Sequence, residues 1–152
     1  MNYTNDRNLY IDVFTEIAQM HDDVNYRVHL NSYQAKPRAN SKQYPAVTSG
    51  AKYHDYTGVG NHHCPASARD FHDRLLDGFR YKLHTEINSY TALCDNAVGH
   101  CAENYAVQKV IERIEGNNDA VPNLQEFSFT HSFEPRTWKK KDWCANCHVM
   151  FE

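Results

Sequence analysis

The distribution of thiols restricts this chain more than any other feature. It carries five cysteines, an odd number, and two of them form Cys144-Ala-Asn-Cys147. A disulfide framework would pair its cysteines completely, so the count points instead to thiolates used as metal ligands. A third thiol opens the fragment Cys101-Ala102-Glu103, directly after the turn-forming run Asp95-Asn96-Ala97-Val98-Gly99. Both fragments read as helix starts, where free N–H groups favour a thiolate and lower the thiol pKa. Cys101, Cys144 and Cys147 would then hold one Zn2+ and leave its fourth position for water, as a catalytic zinc requires. Glu103 is too near Cys101 in sequence to need a metal bond of its own. From the first helical turn it would move protons between water and substrate.

The rest of the chain is expected to provide a single core with this site at its edge. At 152 residues with 41% hydrophobic side chains, it is long and apolar enough for one folded domain, which excludes wholesale disorder. No apolar run is long enough to span a membrane, and the N-terminal MNYTNDRNLY carries no leader pattern. Lys and Arg number 16 against 19 Asp and Glu, for a formal charge of −3, so any contact with a polyanion has to be local. Helical spacing of Leu9, Val13, Phe14, Ile17 and Met20 predicts an N-terminal helix that Asp6 could cap. Residues 34–46 read as an exposed connection, and 44–60 as short strands. A long helix is expected from Pro65-Ala66-Ser67 to Tyr90, with Phe71, Leu75, Phe79, Leu83 and Ile87 on its inner face. A second helix is expected from Cys101 to Gly116, an unbroken strand over 126–133, and a last short helix after Cys144. His84-Thr85-Glu86 is a rival first half of the metal motif, but the expected helix would hold it away from any helix end.

A zinc held by three cysteines, a non-ligand Glu and a C-x-x-C make up the zinc-deaminase pattern, with Cys in the first ligand position. With Tyr44-Pro-Ala-Val-Thr-Ser-Gly50 and Gly58-Val-Gly-Asn-His62 upstream, residues 44–152 resemble the cytidine-deaminase-like superfamily. More narrowly, they are similar to the YwqJ-like deaminases found as toxin domains of bacterial polymorphic toxins. The resemblance implies a three-layer α/β/α sandwich with a short mixed sheet and zinc at two helix N-termini. Residues 1–43 form an N-terminal helical and linker extension outside it. It further implies metal ligation by Cys101, Cys144 and Cys147, proton transfer by Glu103, and a base pocket lined by Asn61, His62, Ala102 and Trp143. The activity implied is deamination of cytosine to uracil, by a monomer delivered within a larger polypeptide, acting in a target cell's cytoplasm and matched by a cognate immunity protein. Trp143 departs from the pattern, because many relatives carry Pro before the first Cys of the C-x-x-C.

The substrate class rests on the stretch leading into Cys144. Arg136, Lys139, Lys140 and Lys141 lie within six residues, and Trp138 and Trp143 are the only tryptophans. Cations track phosphates and indoles stack on exposed bases, which favours nucleic acid, DNA over RNA by the resemblance. A solvated basic loop with Trp138 packed on the core would look the same in sequence. Two other functions stay open. One is a free cytidine or nucleotide deaminase; the other is a binding module whose cysteines form a disulfide or a closed structural zinc site.

Overall fold

A computed structural model describes residues 2–33 and 44–152. The fold is mixed α/β, with four helices and a five-stranded, open antiparallel sheet among the described residues. The expected connection therefore falls largely outside the described residues, since 34–43 are not among them.

Helix α1 (Arg7–Tyr33) begins where Asp6 Oδ1 accepts the N–H groups of Asn8 at 3.0 Å and Leu9 at 3.3 Å. That is the N-cap geometry that satisfies otherwise orphaned donors. Leu9, Val13, Ile17 and Val24 are buried along one stripe. Phe14 was expected in that stripe but lies at its margin, 37% exposed. Strands β1 (Thr48–Tyr53) and β2 (Tyr56–Asn61) form a hairpin in the register Thr48↔Asn61 to Tyr53↔Tyr56. Paired residues share a face. The face of Gly50, Lys52 and Asn61 meets α1 through Leu9, Asp6 and Glu16. The opposite face, with Gly58 and Gly60, lies against α3 (Ala102–Gly116). A Cβ at Gly60 would stand 2.1 Å from the backbone N of Ala106, so only glycine lets α3 sit this low on the hairpin.

The long helix expected from 65 to 90 is mostly irregular. Ser67 and Asp70 close a capping box around a single 3-10 turn, Ala68–Asp70, and His72 then caps the short α2 (Asp73–Tyr81). Beyond it His84 (φ +55°) and Asn88 (φ +67°) are left-handed and end any helix. Asn88 also clamps the Ala66 backbone through both side-chain atoms, at 2.8 and 2.7 Å. Leu83 is still buried and Ile87 still packs against the core, so the apolar spacing survives without the helix.

The strand expected over 126–133 is likewise interrupted. A 3-10 turn (Leu124–Glu126) leads into β3 (Ser128–Phe129), and β4 (Ser132–Phe133) follows. Phe129 pairs with Ala51, but Phe133 pairs with Thr48, so three residues on this strand oppose two on β1. This is a bulge, and it reverses the alternation. Phe129 faces the core beneath α3, Phe133 faces α1, and Ser132 turns toward the α3 side. Strand β5 (Lys140–Lys141) pairs with β4, and α4 (Ala145–Phe151) ends the chain. All pairings between these strands are antiparallel, which corrects the expected mixed sheet; the parallel contact is an isolated bridge from Tyr3 to Phe129. No helix among the described residues is long and apolar enough to cross a membrane.

Candidate metal centre and active site

Two helix starts converge at one end of α3. Cys101 is the N-cap of α3 and Cys144 the N-cap of α4, and neither side chain bonds its own helix end. Both sulfurs are thereby free to point at each other, and Cys101 Sγ lies 3.4 Å from Cys144 Sγ. Cys147, one turn into α4 and fully buried, completes a group whose sulfurs all lie within 4.8 Å of one another. This group could hold a metal ion. In a tetrahedral thiolate site, bonds of about 2.3 Å place the sulfurs roughly 3.8 Å apart, and the spacing here suits that geometry. No other His, Cys, Asp or Glu among the described residues joins the group. His84 and Glu86 of the rival motif are exposed in the irregular segment after α2, so the failure of that motif comes from position, not from helix.

Glu103 lies in the first turn of α3 and is only 4% exposed. Its two oxygens face different partners. Ser132 Oγ donates to Oε1 at 2.6 Å, while the Cys147 thiol lies 3.6 Å from Oε2. Burial pushes the Glu103 carboxyl up from its ordinary pKa, and the Ser132 hydrogen bond opposes that rise. Cys144 is held well below the usual thiol range because it accepts hydrogen bonds from Cys101 and Cys147, whose own pKa values rise.

A cleft of about 70 Å³ opens onto this cluster. Cys101, Ala102, Glu103 and Cys144 form its floor; His62, Val47, Asn96 and Lys141 are among its walls. His62 is half-buried, and desolvation, then the neighbouring His100, lowers its pKa. The structure thus brings Cys101, Ala102, Glu103, Cys144, Cys147, His62 and Lys141 together. Other expected residues lie elsewhere. The Asn61 amide is engaged by Thr48 at 2.6 Å and Glu16 at 3.1 Å on the α1 side of the hairpin. Trp143 packs into the core against Phe129, with ring centroids 4.7 Å apart. Arg136, Trp138, Lys139 and Lys140 are exposed beyond the cleft rim.

Three site residues escaped the sequence reading. Ser132 is aimed by the bulge, which no local pattern announces. Asn96 and Asp142 reach the cleft from a turn and a strand end. Asn146 Nδ2 donates to the Asn96 carbonyl at 3.1 Å, and Thr91 donates to Asn146 at 2.7 Å, tying the 82–100 segment to α4. Cys64 is exposed, away from the three clustered thiols. Compared with known proteins, the chain matches no family model, no curated protein and no solved structure.

Proposed function

We propose that this protein is a zinc-dependent deaminase that converts cytosine to uracil in nucleic acid, with DNA the favoured substrate. The observation that carries the reading is the pairing of three convergent sulfurs with a buried, non-ligand carboxylate on the same cleft. Cys101, Cys144 and Cys147 would hold zinc, which would supply a Lewis acid able to make water a competent nucleophile near neutral pH. Glu103 does the proton work. Ser132 fixes one carboxylate oxygen, which leaves Oε2, on the sulfur side, to take a proton from the attacking water. Glu103 returns that proton to the ring nitrogen and carries the next to the exocyclic amine, which leaves as ammonia.

Placement of α1 and α3 on opposite faces of the hairpin supports the three-layer α/β/α arrangement of cytidine-deaminase-like proteins. Resemblance to toxin-borne members suggests a delivered toxin domain, neutralised by a cognate immunity protein. Lys141 at the cleft rim supports a phosphate-bearing substrate over a free nucleoside. The test is incubation of the zinc-loaded protein with single-stranded DNA, duplex DNA, RNA and cytidine, followed by sequencing or chromatography for uracil. Cytosine-to-uracil conversion by the parent, abolished in Glu103→Ala with zinc still bound, is the expected result. Equal conversion by Glu103→Ala, or no conversion of any substrate, would refute the reading.

A further inference from the structure

A row of aromatic rings on the α1 side of the sheet is not accounted for by the metal centre. Phe133, turned to this face by the bulge, meets Phe14 with centroids 4.9 Å apart, and Phe14 meets Trp138 at 6.3 Å. Trp138 stacks on His21 at 5.2 Å with 14° between the planes, and His21 reaches Tyr44 at 4.9 Å. His21 is fixed from both sides, by the Pro135 carbonyl at 2.7 Å and the Tyr44 hydroxyl at 3.2 Å. Two of these rings face solvent, Trp138 at 42% and Phe14 at 37% exposure.

The backbone at Trp138 is informative. Its φ is +62°, a conformation that suits Gly or Asn and disfavours a bulky side chain. The turn is pinned by Trp138 N donating to the Glu134 carbonyl at 2.8 Å and by Glu134 N donating to that of Lys139 at 2.7 Å. A large indole is therefore held at a hairpin tip, one face on His21, another side toward Phe14, and the rest of it in water. Strained non-glycine positions of this kind cluster where a side chain is held for a ligand. The surrounding segment 134–142 carries four cations against two carboxylates, in a chain whose formal charge is −3. The row also leads to the cleft: Ala46, two residues beyond Tyr44, lines it, as does Lys141 at the end of β5.

We infer that Trp138 and Phe14, flanked by Lys139, Lys140 and Lys141, form a stacking platform for single-stranded DNA, which deepens the deaminase reading and rests on it for the cleft's role. Unpaired bases offer faces to the rings while the lysines follow the phosphates. A duplex keeps its bases stacked on one another and cannot use the rings. The N-terminal helix, through Phe14 and His21, is thereby part of the substrate-binding surface.

The probe is a fluorescein-labelled dT15 oligonucleotide, which contains no cytosine, so binding is read without turnover. Anisotropy titrations of the full chain compare dT15, its duplex with dA15, and rU15. Base–aromatic stacking of about 1–3 kcal/mol per base corresponds to a loss of roughly 5- to 150-fold on removing the ring. Trp138→Ala is expected to weaken dT15 binding within that range and Trp138→Phe to restore most of it. Trp138→Gly relaxes the left-handed backbone while removing the ring, and its thermal melt, compared with the parent's, separates loss of the ring from loss of the fold. The triple Lys139/Lys140/Lys141→Ala change should flatten the salt dependence. dT15 affinity at least tenfold above the duplex, with both ring-deleting variants weakened, supports the platform. Equal affinity for duplex and single strand, rU15 binding alone, or parental affinity in Trp138→Gly overturns it. Ring-dependent dT15 binding without deamination of any substrate would leave the platform standing and refute the proposed activity. Deamination without dT15 binding would do the reverse.

Discussion

Replacing Gly60 with Ala tests how the site is positioned. An ideal Cβ there would lie 2.1 Å from Ala106 N, 2.5 Å from Ala102 O and 2.6 Å from the Tyr105 carbonyl carbon. All three are backbone atoms of the first turns of α3, so no rotamer change can relieve the contact. Restoring ordinary van der Waals contact, which begins at 3.4 Å, requires the helix to lift by about 1.3 Å or more, the kind of overpacking that costs about 1–3 kcal/mol. Cys101 and Glu103 ride on that helix start, and a misplacement of about 1 Å can cost roughly 100-fold in rate. Urea unfolding of the metal-free protein should show a loss near 3 kcal/mol, and titration against a chromophoric chelator should show weakened zinc binding. Gly116→Ala is the control. It lies at the end of the same helix with nothing within 4 Å of its would-be Cβ. It should be neutral or stabilise the protein by up to about 1 kcal/mol. Gly60→Ala within about 0.5 kcal/mol of the parent, with unchanged zinc affinity, would refute the seating of α3 on the hairpin.

Other perturbations follow from individual contacts. Ser132→Ala removes the donor that fixes Glu103 Oε1; a hydrogen bond to a charged group is worth about 1.5–3 kcal/mol, so kcat should fall roughly 10- to 150-fold while Ser132→Thr retains much of it. An unchanged kcat in Ser132→Ala would remove Ser132 from the machinery. Glu103→Gln should stabilise the metal-free protein at pH 7. Burial raises the folded carboxyl's pKa above its unfolded value, so stability is lost as pH rises between the two. The gap in melting temperature should close below about pH 4, where Glu103 is protonated in both states. Asp6 has the opposite sign: its hydrogen bond from Lys52 depresses the carboxyl, so its stabilisation is present above the unfolded pKa and fades as pH falls through the folded one. Asp6→Asn should keep the cap of α1 and match the parent only once pH has fallen through the depressed folded pKa, while Asp6→Ala should cost about 1 kcal/mol of unfolding free energy at pH 7.

The cluster of Cys101, Cys144 and Cys147 was legible because its signal is local. Cys101 and Cys144 each follow a turn and open a helix, and the apolar stripe Ala102, Ala106, Val110 and Ile114 marks α3 in full. The hairpin was legible from alternation and glycine. What the text did not carry were features set by tertiary partners. Asn88 bends the 82–100 segment by clamping Ala66, yet Leu83 and Ile87 keep a helical spacing that misleads. The bulge before Ser132 depends on pairing with β1, and it alone decides that Ser132 and not Phe133 meets Glu103. Trp143 stands directly before Cys144 in sequence, but its ring packs on Phe129 in the core.

Zinc K-edge X-ray absorption on the purified protein addresses the centre itself. One zinc per chain, bound by three sulfurs at about 2.3 Å and one lighter oxygen or nitrogen donor, is the required outcome, and Glu103→Gln should leave that pattern unchanged. A fourth sulfur, or a sulfur count unaltered in Cys101→Ser, would contradict a centre built from Cys101, Cys144 and Cys147 with an open position.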